Sequence, residues 1–193
     1  MDLVIIKYNA GNVQSVMCAL DRLQVNYKLT DDKEEILKAD KVIFPGVGEA
    51  SSAMRYLREK NLHQLIPQLK QPVFGVCLGQ QLLCKYSEEN NTECLGVFDL
   101  TIKRFEPKLK VPHIGWNNLT DLKGPLFKGL EKDPYVYFVH SYYAELGKET
   151  CATTEYIVPF SAGMQKDNFY AVQFHPEKSS KAGEKIIQNF VEM

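Results

Sequence analysis

The chain has 193 residues, 45% hydrophobic and 24% charged, with a formal net charge of -1. That length supports one cored domain over 1–193, and the scatter of Lys and Arg argues against a nucleic-acid face or a polybasic membrane patch, leaving a small molecule or a protein as the expected partner. The apolar run Leu3 to Ile6, broken by Lys7, is too short for a signal peptide or a membrane span, so a cytoplasmic location is expected.

LVIIKY (3–8) reads as a first strand, followed by a loop NAGN and by Val13, Val16, Met17, Leu20 and Leu23 at helical spacing, with Asn12 as the cap. VNYKLT (25–30) predicts a second strand, Asp31 or Asp32 the next cap, and KVIF (41–44) a third strand ending at Pro45. Ala53, Met54 and Leu57 mark an amphipathic stretch. PVFGV (72–76) predicts another buried strand, and QQLLCKYS (80–87) a return to helix. Such alternation implies an α/β fold with a parallel, doubly wound sheet. From about residue 94 strand-like runs follow one another: FDLTIKRF, YVYFVHSYYAEL, TCATTEYIV and FYAVQFHP, with turn chemistry at SAGMQKDN (161–168). The final SKAGEKIIQNFVEM is helical, with Ile186, Ile187, Phe190 and Val191 on one side. No linker separates the halves, so both are expected to share one sheet system.

Chemistry concentrates around one of the five cysteines. Cys18, Cys77, Cys84, Cys94 and Cys151 form no CxxC pair, which reads as reduced thiols. His175, Glu177, His113 and His140 have no zinc-type spacing, so neither a metal nor another cofactor is expected. In GVCLG (75–79), a strand must end, turn sharply and feed a helix, and glycines on both sides relieve the crowding around Cys77. This is the logic of a nucleophile elbow with sulfur in place of oxygen, at a helix N-terminus that favours a thiolate. Taken alone, the segment also suits a small buried residue. Cys84, placed on the same helix, is expected in the core.

A thiolate nucleophile needs a base and a group that orients the base. QFHPEKS (173–179) offers His175 as base and Glu177 as orienter after an apolar strand; a surface turn with an ordinary ion pair is the plain alternative. Developing negative charge on a substrate oxygen could meet the amide of Leu78 and one from PGVG (45–48), around Val47. An ordinary glycine turn explains that tetrapeptide equally.

Together, PGVG, GVCLGQQ and FHPEKS in this order and spacing resemble the class I (triad) glutamine amidotransferases across nearly the whole chain. The resemblance implies a flavodoxin-like, open mixed sheet flanked by helices, with a strand-rich second half. Within that family YNAGN, the Val of PGVG, HIGWN (113–117) and YFVHSYY (137–143) are similar to the glutaminase subunits of imidazole glycerol phosphate synthase. Other glutaminases of the family usually carry a PGG-type loop, from which Val47 departs.

By this resemblance Cys77 attacks the carboxamide of L-glutamine, His175 shuttles protons and Glu177 holds the imidazole. Gln81 and Glu89 contact the substrate, Glu89 facing its α-ammonium unless Glu88 serves instead; Gly48 and the backbone of Ser141 and Tyr142 complete the pocket. The resemblance further implies a heterodimer with a separate HisF-like (β/α)8 cyclase subunit, with Asn12, Trp116, Tyr137 and Lys178 toward it. Packed aromatic residues and a solvated lysine are the alternative for those positions. Val47 is expected to resist the peptide rotation that completes the donor set, since positive φ is costly for a β-branched residue, so hydrolysis should be weak until the partner and its nucleotide ligand shift the population. A glutaminase for another synthase, a non-enzymatic regulator on the same fold and a DJ-1-like cysteine protein are the rival readings.

Overall fold

A computed structural model describes residues 1–193 except residues 10 and 12. Its elements are β1 (Leu3–Ile6), α1 (Val13–Arg22), β2 (Tyr27–Thr30), α2 (Lys33–Lys38), β3 (Lys41–Gly46), α3 (Ala50–Glu59), α4 (Leu62–Leu65), β4 (Val73–Cys77) and α5 (Leu78–Leu83). They continue with β5 (Cys84–Ser87), β6 (Thr92–Glu93), β7 (Phe98–Arg104), β8 (His113–Asn118), β9 (Tyr135–His140), β10 (Tyr142–Ala144), β11 (Thr150–Tyr156), β12 (Val158–Lys166), β13 (Phe169–Val172) and α6 (Ser180–Glu192).

The central sheet has seven strands in the order β11-β12-β13-β4-β3-β1-β2. From β13 to β2 neighbours run parallel, and β12 and β11 extend the sheet antiparallel. Side chains alternate across a strand, so Val4 and Ile6 join one apolar cluster with Ile36, Met54 and Leu57, while Leu3 and Ile5 join another with Leu20, Ile187 and Phe190. Burial on both faces explains why these strands read as unbroken apolar runs. Asp32, rather than Asp31, caps α2, its Oδ1 accepting from Glu35 N at 3.0 Å. The cap assigned to Asn12 lies outside the described residues.

Two expectations of local structure are corrected. QQLLCKYS is not one helix: α5 ends at Leu83 and Cys84–Ser87 is a strand, because Cys84, Tyr86 and Ser87 pair with β7 and the ladder outweighs the short helical pattern. Cys84 is still fully buried, as expected of a core thiol. SAGMQKDN is strand through Lys166, and its small residues reflect close packing, since a Cβ on Gly163 would come within 2.7 Å of the Phe127 ring. Both halves do share the central sheet, as expected. The second half adds β11 to β13 to the central sheet, but β10-β7-β5-β6 and β8-β9 form separate four- and two-stranded sheets.

Candidate active site

The carboxyl ends of β3, β4 and β13 lie side by side, Gly46 opposite Cys77 and Val76 opposite Val172, and open onto a cleft of about 330 Å³. Open α/β sheets bind ligands at this edge.

Cys77 sits where β4 gives way to α5, with φ 54° and ψ −108°, a conformation costly for any residue with a Cβ. The strain is imposed by close packing at the bend. A Cβ on Gly75 would stand 2.7 Å from Leu83 Cδ1, and one on Gly79 would overlap the Phe44 carbonyl oxygen of β3. Both glycines therefore let α5 fold back tightly onto the sheet, which aims Cys77 into the cleft. Cys84, Cys94 and Cys151 contrast with it: burial pushes the Cys84 thiol up and the other two to about 12.

His175 follows β13 and lines the same cleft as Cys77. Its Nδ1 lies 2.8 Å from Glu177 Oε1, and both side chains are almost completely buried. Burial disfavours the imidazolium, but the hydrogen bonds and charges of Cys77 and Glu177 outweigh it and raise the pKa to about 10. The turn carrying this pair is tied to β9. His175 N donates to Tyr137 O at 2.9 Å; Ser179 Oγ accepts from Tyr137 N at 2.9 Å and donates to His175 O at 2.6 Å.

Val47, Gly48, Leu78, Gln81, Glu89, Ser141 and Tyr142 all line this cleft as well. Gly48 adopts φ +115°, so the flexible point of PGVG is its last residue. Beneath the loop, the buried Tyr8 hydroxyl donates to Pro45 O at 2.6 Å. Of the two adjacent acids, Glu89 reaches the cleft: it is half-buried, accepts from Ala50 N at 2.7 Å, and burial raises its pKa despite that bond. Glu88 is exposed and accepts from Arg104 N instead.

Around the mouth, Lys178 is exposed and lines the cleft. Trp116 and Tyr137 pair across β8 and β9, their rings edge-on with centroids 6.0 Å apart. Next to them Ile114 pairs with Val139, giving an apolar strip in which Trp116 is 51% exposed. Asn12 lies outside the described residues.

Sequence reasoning passed over two groups here. His140 lines the cleft and its ring meets His113, Nε2 to Nδ1, at 3.0 Å. Gln173 is fully buried beside Cys77; its place two residues before His175, in the strand-like run FYAVQFHP, was the available signal. Burial lowers His113 to about 4 and His140 to about 3, the neighbouring histidines adding to the effect on His140 while its bond to Tyr142 opposes it.

These opposite shifts predict a stability maximum near pH 6.5. His113 and His140 have depressed values, so their contribution is present above the unfolded value of 6.5 and is lost as pH falls toward 4. His175 has a raised value, so its contribution is complete below 6.5 and is lost as pH rises toward about 10. Each slope reaches at most ~1.4 kcal/mol per pH unit per histidine. Urea midpoints at pH 4.5, 6.5 and 9 measure it; equal midpoints at 4.5 and 6.5 would show that the histidine pair is not held neutral.

Residues 4–193 match the family model described as glutamine amidotransferase class-I. The imidazole glycerol phosphate synthase subunit HisH of Bacteroides fragilis (strain YCH46) is 57% identical, covering 100% of both chains, and that of Bacteroides thetaiotaomicron is 52% identical with the same coverage. HisH of Vibrio parahaemolyticus is 45% identical over 99% of this chain and 98% of its own. Among solved structures, a glutamine amidotransferase from Thermotoga maritima is similar with a TM-score of 0.68 and 17% identity, covering 100% of this chain and 83% of that one, a likeness of fold alone. The full-length sequence match and the shared fold coincide over the residues that build this cleft, and the chain belongs to the class-I glutamine amidotransferase family, in the group of the HisH subunits.

Proposed function

We propose that this chain hydrolyses L-glutamine through a thioester on Cys77 and passes the ammonia to a separate HisF-like (β/α)8 cyclase subunit, which makes imidazole glycerol phosphate and AICAR in histidine biosynthesis. The observation that carries the reading is that Cys77, on its strained elbow, lines one cleft with His175, itself 2.8 Å from the buried Glu177.

The Cys77 proton passes to His175, and the sulfur forms a bond to the side-chain carbonyl carbon of glutamine. The carbonyl oxygen becomes an oxyanion that accepts from Leu78 N–H and from the peptide of Val47 and Gly48. His175 then gives its proton to the amide nitrogen, the C–N bond breaks, and ammonia leaves a thioester. A water that loses a proton to His175 attacks the thioester; glutamate departs and the thiol re-forms. Glu177 holds the imidazole throughout. Glu89 faces the substrate α-ammonium, Gln81, Ser141 and Tyr142 line the remainder, and the α-carboxylate meets backbone at 141–142.

Ammonia free in neutral water is mostly ammonium, which is no nucleophile, so a synthase must take it up directly. Trp116, Tyr137 and Lys178 stand beside the cleft mouth, and the exposed apolar strip of β8 and β9 supplies the desolvated centre that a protein partner requires. Asn12 is assigned to the same interface. Val47 keeps hydrolysis low until the cyclase and its nucleotide ligand bind.

The test is a thiol-alkylating glutamine analogue, with peptide mass spectrometry to locate the adduct and co-purification to identify the cyclase. Modification of Cys77, and hydrolysis stimulated by the cyclase's nucleotide substrate, are the expected results. Labelling of Cys84 instead, or glutamate release by the isolated chain at the rate of the complex, contradicts the assignment of the nucleophile or of the gating respectively.

A further inference from the structure

We propose that Gln173 is a further catalytic residue of this site, its side-chain amide donating a hydrogen bond to the Cys77 sulfur and holding it as a thiolate aimed into the cleft. The inference rests on Cys77 being the nucleophile and adds a donor that the triad does not contain.

Gln173 is fully buried, 96 residues from Cys77 in sequence, and its Nε2 lies 3.7 Å from Cys77 Sγ, within the range of an N–H···S bond. A side-chain amide offers an oxygen at one end and a nitrogen at the other, so which end faces the sulfur must be settled by its neighbours. Here a backbone carbonyl settles it. Tyr142 O can only accept, and it lies 3.1 Å from Gln81 Nε2, so that end of Gln81 is its NH2 group. The same nitrogen stands 2.9 Å from the oxygen end of Gln173, which accepts its second proton. Turning Gln173 over would set two NH2 groups against each other, a buried donor-donor clash costly enough to hold one orientation. The nitrogen of Gln173 is thereby left facing Cys77.

The histidine pair finds its place in the same chain. His140 Nδ1 lies 2.8 Å from Tyr142 O, so it carries the proton and donates to the same carbonyl as Gln81. His140 Nε2 is then an acceptor, and His113 Nδ1, 3.0 Å away, donates to it. Two neutral imidazoles and two amides thus form one connected network, in which His140 and Gln81 both donate to the Tyr142 carbonyl and Gln81 also donates to Gln173, which donates to the nucleophile. The consequence at the sulfur is chemical: a neutral N–H donor stabilises the thiolate without supplying a proton of its own, and its hold weakens once sulfur is consumed as a neutral thioester.

The experiment follows alkylation of Cys77 by iodoacetamide in the full chain from pH 5.5 to 9.5, quantified on the Cys77 peptide by mass spectrometry, for the parent, Gln173→Leu, Gln173→Glu and Gln81→Leu. A donor role predicts that Gln173→Leu moves the half-maximal pH up by about one unit, slowing alkylation at pH 7 several-fold. Its plateau rate at high pH should rise about threefold, because a more basic thiolate is the better nucleophile (slope about 0.4–0.5). A packing role gives no such crossing of the two profiles. Gln173→Glu, which cannot donate when ionised, should shift the midpoint at least as far. Should Gln173→Leu fail to fold, Gln81→Leu releases the amide orientation and should move the midpoint in the same direction by less. Profiles of folded variants that superimpose on the parent would overturn the proposal. Absence of Cys77 modification in the parent, by iodoacetamide and by the glutamine analogue alike, would instead overturn the nucleophile assignment beneath it.

Discussion

Cys77→Ala is expected to lower glutamine-dependent turnover by roughly 10⁴-fold or more, the scale seen when a covalent nucleophile is removed, while the assembled synthase keeps its activity with added ammonium salts. The asymmetry follows from where the sulfur sits. Cys77 lines the cleft at the sheet edge and belongs to the second apolar cluster only through one sulfur, so alanine in its place removes a single atom from that cluster, and the cyclase chemistry is carried by another polypeptide. His175 loses one of the partners that raise its pKa, so any residual hydrolysis should also lose the parent's pH dependence. Steady-state assays with glutamine and with ammonium measure both halves. Loss of both activities would mean that the cysteine is structural.

Gly79→Ala should be far more damaging than one added methyl suggests. The added methyl has no free space: it falls on the Phe44 carbonyl oxygen, a backbone atom of β3 that cannot swing aside as a side chain would. Either α5 lifts from the sheet or β3 shifts, and both movements displace the Cys77 elbow relative to His175. Overpacking of this kind costs about 3 kcal/mol, lowering Tm by roughly 6–12 °C for a domain of this size, with glutamine hydrolysis lost even where the protein remains folded. Gly96→Ala is the control. Gly96 has φ +69° but open space around it, so it should cost only about 1 kcal/mol and leave hydrolysis intact. Calorimetry and a glutaminase assay on both variants decide the matter; equal losses in the two would show that the contact with β3 at position 79 costs no more than the strained φ at position 96.

Much of the architecture was legible because the parallel strands are buried on both faces. LVII, KVIF and VFGV are apolar throughout, and the polar stretches between them have helical spacing, so alternation alone pointed to a layered α/β sheet. The errors fall where a short segment had no periodicity strong enough to resist its neighbours. Cys84–Ser87 became strand because β7 was available to pair, and residues 161–166 became strand because β11 and β13 flank them, although glycine, serine and alanine there looked like turn residues. The missing side chain at Gly163 answers to Phe127 and Ala152 packed against it, a fact of three-dimensional contact.

The cleft divides in the same way. Local sequence determined which groups could do chemistry: the glycines around Cys77, the pairing of His175 with Glu177 across one proline, and the glycines of PGVG are short-range patterns that demand particular backbone shapes. Tertiary structure alone decided that the ends of β3, β4 and β13 adjoin, that Glu89 rather than Glu88 reaches the pocket, and that Gln173, Gln81, His140 and His113 share one hydrogen-bond network. The reason is physical. A bend or a cap is settled by sterics within a few residues, whereas the direction of a buried amide or the tautomer of a buried histidine is settled by whichever acceptor the folded chain brings within about 3 Å.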